Sequence, residues 1–213
     1  MANYRNYEVP DYGTLKEMLA ASTAQFADRP AFREKADGVW REKTYREYGE
    51  DVNALGTELL AQGFGGKRII VTGINSYAWV VTYMAVICGV GVIVPVDKEI
   101  PAEELANIAH VSEAALVVYG AKSAEKVETL PPEVARCSFA KLSELIRAGK
   151  RRIAEGDRAY LDATVDPNVM SALIFTSGTT GVSKGVMLSH RNLCFDIHEA
   201  RQMLFCGRPP AYS

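Results

Sequence analysis

The ten residues TSGTTGVSKG, Thr176 to Gly185, hold three glycines, five hydroxyl side chains, one lysine and no acid. Gly178, Gly181 and Gly185 permit positive φ, so successive backbone N–H groups can converge on one anion. The hydroxyls of Thr176, Ser177, Thr179, Thr180 and Ser183 add rotatable donors, and Lys184 adds a mobile point charge. A donor set without a nearby carboxylate suits a polyphosphate. The spacing excludes Walker A, GxxxxGK[ST], because Lys184 follows Ser183 and precedes Gly185. The dinucleotide GxGxxG and the kinase glycine-rich loop are absent as well. Composition alone also fits a flexible Gly/Ser/Thr linker. Position favours the anion site. The loop follows the apolar run VMSALIF (Val169 to Phe175) directly and leads into VMLSHRNLCFDIHEARQML. There Ser189 can cap a helix with Leu193, Ile197, Ala200 and Leu204 at helical spacing.

Such a loop needs a scaffold to aim it. TLKE (Thr14 to Glu17) is a capping box, opening a helix with Leu15, Leu19, Ser22 and Phe26 on one face that ends near Asp28-Arg29-Pro30. AFREKADGVWREKTY predicts two short strands about an Asp37-Gly38 turn. A second capping box, Thr44 to Glu47, opens a helix with Val52, Leu55 and Leu59 inward and Gly63 as its stop. The pattern then becomes strand, helix, strand. RIIVTGI (Arg68 to Ile74) is followed by a buried helix, capped by Asn75-Ser76 and running through Cys88, then by VIVPVD (Val92 to Asp97). Pro101 starts a helix with Glu103 and Glu104 in its first turn, leading to ALVVYG (Ala115 to Gly120). A weaker repeat comprises a short helix from Ser123, a strand near Cys137 to Phe139 and the helix SFAKLSELIRAGK. A charged loop, Lys150 to Arg158, precedes VMSALIF. Continuous apolar strands alternating with helices predict an α/β fold: a mostly parallel sheet covered on both faces, plus a short N-terminal hairpin. Residues 1–213 are expected to form a single domain, with a flexible connection near 149–160. Ligands of such sheets bind beyond the carboxyl ends of the strands, where this loop lies.

Composition narrows the function classes. The 213 residues are 48% hydrophobic and 23% charged with a net charge of −2, which argues against a nucleic-acid partner. Lys150-Arg151-Arg152 reads as the solvated end of a helix. Cys88, Cys137, Cys194 and Cys206 show no disulfide or zinc spacing, which points to a reducing cytoplasm. MANYRNYEVPDYG has no apolar core of a secretory signal. Ile69 to Val96 carries no charge and has the length of a membrane span. Its interruptions at Gly89, Gly91 and Pro95 and its β-branched end favour a buried helix followed by a buried strand, so no transmembrane segment is expected. His190, His198 and Glu199 match no metal spacing; the histidines read as capping or surface residues, and no metal site is expected. His110 reads as structural, and Trp40 and Trp79 as core or edge residues.

Within this frame FTSGTTGVSKGVMLSHRNL closely resembles the signature phosphate loop of the adenylate-forming superfamily, which includes acyl-CoA synthetases, peptide-synthetase adenylation domains and luciferases. The family pattern [ST]SGTTGxPKGV, followed by H-x-N, matches Thr176 through Val186 except at Ser183, where proline is usual. His190 and Asn192 fall where the pattern expects them. TYREYGEDVNALGTELLAQG resembles the family's helix after "TY-x-E". INSYAWVVTYMAVICGVGVIVPVD resembles its "N-S-x-x-W…G-x-V-x-V-P-x-D" segment, and SEAALVVY its "SEA" strand. The combination is most similar to the long-chain fatty-acid CoA ligases. Such a resemblance implies a two-step reaction using ATP, Mg2+ and CoA, in which a carboxylic acid, here a fatty acyl chain, becomes an acyl-adenylate and then a thioester. It also implies that Ser177, Thr179, Thr180 and Lys184, in a set with Thr176, hold the phosphates, while Gly178 and Gly181 let the backbone approach. The family's "Y-G-x-T-E" and "Y-x-T-G-D" motifs and its small C-terminal domain with a catalytic lysine are not found in this sequence. The resemblance therefore predicts the N-terminal part of the large AMP-binding domain, with no catalytic residue of its own and no activity in isolation. Two other assignments stay open: a non-catalytic phosphate- or nucleotide-binding module, and an adenylation domain of a peptide synthetase.

Overall fold

The computed structural model describes residues 8–36, 38–176 and 184–203. Helix α1 (Leu15–Gln25) begins at the predicted capping box. Thr14 Oγ1 accepts the Glu17 N–H at 3.1 Å, and the Thr14 N–H donates back to Glu17 Oε2. Strands β1 (Pro30–Ala36) and β2 (Val39–Thr44) form the antiparallel hairpin. The second capping box, Thr44 with Glu47, opens α2 (Tyr45–Ala61), and Gly63 follows its end at φ +87°, the left-handed position glycine takes without strain.

A six-stranded sheet comes next, with strand order β6-β5-β3-β4-β7-β8. Its strands are β3 (Arg68–Thr72), β4 (Val92–Val96), β5 (Ala114–Tyr119), β6 (Ala135–Ser138), β7 (Met170–Thr176) and β8 (Lys184–Ser189). Neighbours pair in parallel except β7 and β8, which are antiparallel. Burial is nearly continuous along the central strands, while successive side chains alternate between two faces. Ile69, Val71, Leu116, Val118 and Ile93 face a core shared with α1, α2, α3 (Tyr77–Ala85) and α6 (Leu142–Ala154). Ile70, Val117, Val94 and Leu173 face a second core with α4 (Ala102–Val111) and α5 (Ala124–Glu128). Apolar burial on both faces at about 25 cal/mol per Å² is the main stabilising term. Among the described residues no helix is long and apolar enough to cross a membrane; the uncharged stretch from Ile69 divides into β3, α3 and β4.

Three elements differ from the sequence expectation. Helix α3 ends at Ala85, and the chain continues to Val90 as a π-type turn. Two buried side chains complement this turn: Tyr160 Oη donates to Ala85 O at 2.9 Å, and His190 Nε2 lies 2.9 Å from Ile87 O. Helix α6 runs on to Ala154, through the first half of the expected loop from Lys150 to Arg158. The cause is tertiary. Lys150 Nζ pairs with Asp51 at 2.7 Å and Arg152 Nε with Glu58 at 2.7 Å, both acids on α2. At Gly149 the two helices meet so closely that a Cβ would fall 1.8 Å from Ala54 O. The third difference is β8, a strand where the sequence shows no alternation.

Asp51 joins four elements. Its buried carboxylate receives Lys43 Nζ of β2 at 3.0 Å and Tyr77 Oη of α3 at 2.9 Å, besides Lys150 of α6. Burial alone would push this carboxyl upward, but hydrogen bonds from Lys150, Lys43 and Tyr77 outweigh it and hold the group below its ordinary value. A carboxyl depressed in the folded state stabilises above its unfolded pKa of about 3.9, and that contribution disappears as pH falls through the folded value. Asp51→Ala is therefore expected to cost about 2–3 kcal/mol at pH 7, the scale of lost charge-assisted bonds. In urea denaturation the gap from wild type should shrink steadily as the pH drops below about 4. A gap independent of pH would contradict this.

Candidate functional site

Strand β7 carries the chain out of the core. Ser171, Ala172 and Leu173 are buried, Ile174 and Phe175 half-buried, and Thr176 exposed at the carboxyl edge of the sheet. Strand β8 returns antiparallel, with Lys184 opposite Thr176 and Gly185 opposite Phe175. Thr176 and Lys184 thus face each other as the last pair of the hairpin before residues 177–183. Ser177, Gly178, Thr179, Thr180 and Gly181, the remaining predicted phosphate-binding residues, lie outside the described residues. Gly185 makes room beside Leu173 and Phe175: a Cβ there would sit 3.0 Å from Leu173 Cδ1 and 3.5 Å from Phe175 Cζ.

A cleft of about 550 Å3 opens beside this hairpin, beyond the carboxyl ends of β3, β4 and β7. Ile74 and Asn75 line it from the turn after β3, Asp97 and Lys98 from the turn after β4, and Ile174 and Phe175 from β7. Trp79, also in the lining, stacks on Tyr83 at 5.3 Å with the planes 15° apart. Ser76 caps the helix that holds Trp79, accepting its N–H at 3.3 Å. The turn after β4 is tied from below. Lys126 Nζ of α5 donates to the carbonyls of Lys98 and Ile100 at 2.5 and 2.7 Å, and the Glu99 N–H donates to Asp97 Oδ1 at 2.9 Å. Sequence patterning singled out none of Asn75, Asp97, Lys98 or Lys126 as site residues, because they converge only when three strands end side by side. A polar turn at the end of each predicted parallel strand is the one signal that could have marked them. Apolar walls below a polar rim suit an organic substrate whose charged end stays at the sheet edge.

The exit of the hairpin is firmly held. Ser189 caps α7 (His190–Met203): its Oγ accepts the Asn192 N–H at 3.3 Å, and its own N–H donates to Asn192 Oδ1 at 3.0 Å. The Arg191 N–H donates to Pro167 O at 2.9 Å, and its guanidinium reaches Asn168 Oδ1 at 3.2 Å. His190 corrects the expectation of a capping or surface histidine, for it is fully buried. Its Nδ1 accepts the Leu15 N–H at 3.1 Å, which leaves Nε2 to carry the proton and donate to Ile87 O. Burial pushes the imidazole pKa down further than the bond to Ile87 raises it, so the ring is neutral. The sequence spacing could not show this, because Leu15 and Ile87 lie 175 and 103 residues away. Among the described residues no three His, Cys, Asp or Glu side chains are grouped to hold a metal.

Comparison with known proteins gives this geometry a context. The family model described as AMP-binding enzyme matches residues 19–209. Tyrocidine synthase 2 of Brevibacillus parabrevis is 34% identical over 156 residues, covering 73% of this chain and 4% of that protein. Long-chain-fatty-acid–CoA ligase FadD15 of Mycobacterium bovis is 27% identical over 209 residues, covering 92% of this chain and 34% of that protein. The crystal structure of VinN superposes with a TM-score of 0.77 at 22% identity, over 91% of this chain and 50% of that one, a likeness of fold. The chain spans about a third or less of the length of these two curated relatives.

Proposed function

We propose that this chain, which belongs to the AMP-binding enzyme family, is the N-terminal part of the large domain of an ATP-dependent acid–thiol ligase. The observation that carries the proposal is the β7–β8 hairpin, with Thr176 opposite Lys184 at the carboxyl edge of a parallel sheet, beside an organic-sized cleft. On this reading Thr176, Ser177, Thr179, Thr180 and Lys184 hold the phosphates of ATP, and Gly178 and Gly181 let the backbone close on them. A carboxylate oxygen attacks the α-phosphorus; the bond to the bridging oxygen breaks, and pyrophosphate leaves with that electron pair. The CoA thiolate then attacks the acyl carbon and expels AMP. The first step brings two anions together, so the hairpin contributes by neutralising and positioning the triphosphate. Magnesium bound with the nucleotide would supply further charge neutralisation beside Lys184 and the loop hydroxyls.

Fatty acyl substrates are supported by the match to FadD15 along nearly the whole chain. Amino-acid adenylation for a peptide synthetase is the second reading, supported by the higher identity to tyrocidine synthase 2. The full-length protein separates the two. Carboxylate-dependent exchange of pyrophosphate into ATP with fatty acids, followed by consumption of CoA, favours the ligase. Exchange with amino acids alone favours the synthetase. Absence of exchange with either class removes both.

A further inference from the structure

We infer that His190 is a positioning residue that sets the register of the β7–β8 hairpin, and thereby the face of the sheet edge on which Lys184 emerges. The functional weight of this inference rests on the phosphate role proposed above for Lys184; the register itself does not. Among the described residues β8 has β7 as its one strand neighbour. Its first four residues, Lys184, Gly185, Val186 and Met187, are all exposed, Val186 at 43% and Met187 at 70% although they point to opposite faces. Of its apolar side chains only Leu188, half-buried near the far end of the strand, packs on a core, and strands so weakly patterned slip readily. Gly185 opposite Phe175 gives a steric preference, but its tight neighbour is the flexible end of Leu173, which can yield.

Directional anchoring is concentrated at the other end of the strand. Ser171 Oγ donates to Leu188 O at 3.2 Å beside the irregularity between Met170 and Ala172. Immediately after β8, both ring nitrogens of His190 are bonded inside the protein to two different elements, the start of α1 and the turn after α3. A one-residue slip moves the strand about 3.3 Å, and neither bond survives such a shift. Two buried polar groups would then lose their partners. The apolar contacts of α7 through Leu193, Cys194 and Ile197 tolerate sliding better, because dispersion has no fixed direction. A slip by one also reverses the face of every β8 side chain, Lys184 included.

Cross-strand nuclear Overhauser contacts in isotopically labelled protein test the inference. In wild type, the amide contacts should report Ile174 opposite Val186 and Leu173 opposite Met187. His190→Phe, which fills the ring's space without its bonds, should shift or erase these contacts while those among β3, β4 and β5 persist. It should also weaken binding of inorganic tripolyphosphate roughly tenfold, the loss of one charge-assisted contact. His190→Gln, which keeps a donor for Ile87 O, should fall between the two. A folded His190→Phe protein with native hairpin contacts overturns the inference. If His190→Phe does not fold, His190→Gln is read by the same criterion, and global unfolding of both also overturns it. Wild-type protein that binds no tripolyphosphate counts against the proposed function, while the hairpin contacts still decide the register.

Discussion

Lys184→Ala in the full-length protein is expected to lower the rate of carboxylate-dependent pyrophosphate exchange by about 10²–10³-fold, the scale on which one preorganised charge-stabilising donor contributes. Lys184 stands at the start of β8, exposed, across the hairpin mouth from Thr176. Its place is set by backbone pairing while its ammonium stays free to track phosphate oxygens, a role for a point charge on a flexible stem. The substitution buries nothing and unpacks nothing, so thermal stability should stay within about 0.5 kcal/mol of wild type. That separation of rate from stability is the informative part. An unchanged exchange rate would remove Lys184 from the phosphate site.

Tyr160→Ala is expected to cost about 3–5 kcal/mol, the range for emptying a large aromatic site in a core. Tyr160 is fully buried. Its ring lies against the backbone of Gly56, where an added Cβ would meet Tyr160 Cε2 at 2.1 Å, and Gly56 therefore leaves the space the ring fills. Its hydroxyl donates to Ala85 O at 2.9 Å, and Lys16 Nζ lies 5.3 Å above the ring while donating to the carbonyls of Tyr160, Leu161 and Ala163. One residue thus joins α2, the end of α3 and the chain segment before β7. Against a typical domain stability of about 5–15 kcal/mol, this loss removes a large fraction. Tyr160→Phe deletes the hydroxyl bond alone and should cost about 1 kcal/mol. Urea denaturation of the two variants checks the ordering; an alanine variant as stable as the phenylalanine one would contradict it.

Tyr160 also shows where sequence stops being informative. It sits in AEGDRAYLDA, a charged segment in which nothing announces a core residue, and its burial depends on α2 and α3. The features legible in sequence are those whose chemistry is local. Both capping boxes, at Thr14 and Thr44, appear where side chain and backbone three residues apart satisfy each other. Continuous apolar strands such as Arg68–Thr72 announce a sheet buried on both faces. The phosphate-binding reading of TSGTTGVSKG rests on equally local chemistry, ten consecutive residues carrying its donors, but residues 177–183 lie outside the described residues. Strand β8 was not legible, because KGVMLS is an edge strand with little to bury and so shows no alternation. Likewise the last turn of α6 is held by Asp51 and Glu58, about a hundred residues upstream. The cleft is a product of topology, where turns after β3 and β4 meet the end of β7.

The chemistry assigned to the hairpin stands or falls on which phosphate bond breaks. Radiolabelled pyrophosphate, incubated with the full-length protein, ATP, magnesium and a panel of carboxylic acids, measures this directly. On the proposed reading, label enters ATP when a cognate carboxylate is present and hardly at all without it, because cleavage would lie between the α- and β-phosphates and be reversible. Release of ADP and orthophosphate with no exchange would place the cleavage between the β- and γ-phosphates and contradict it.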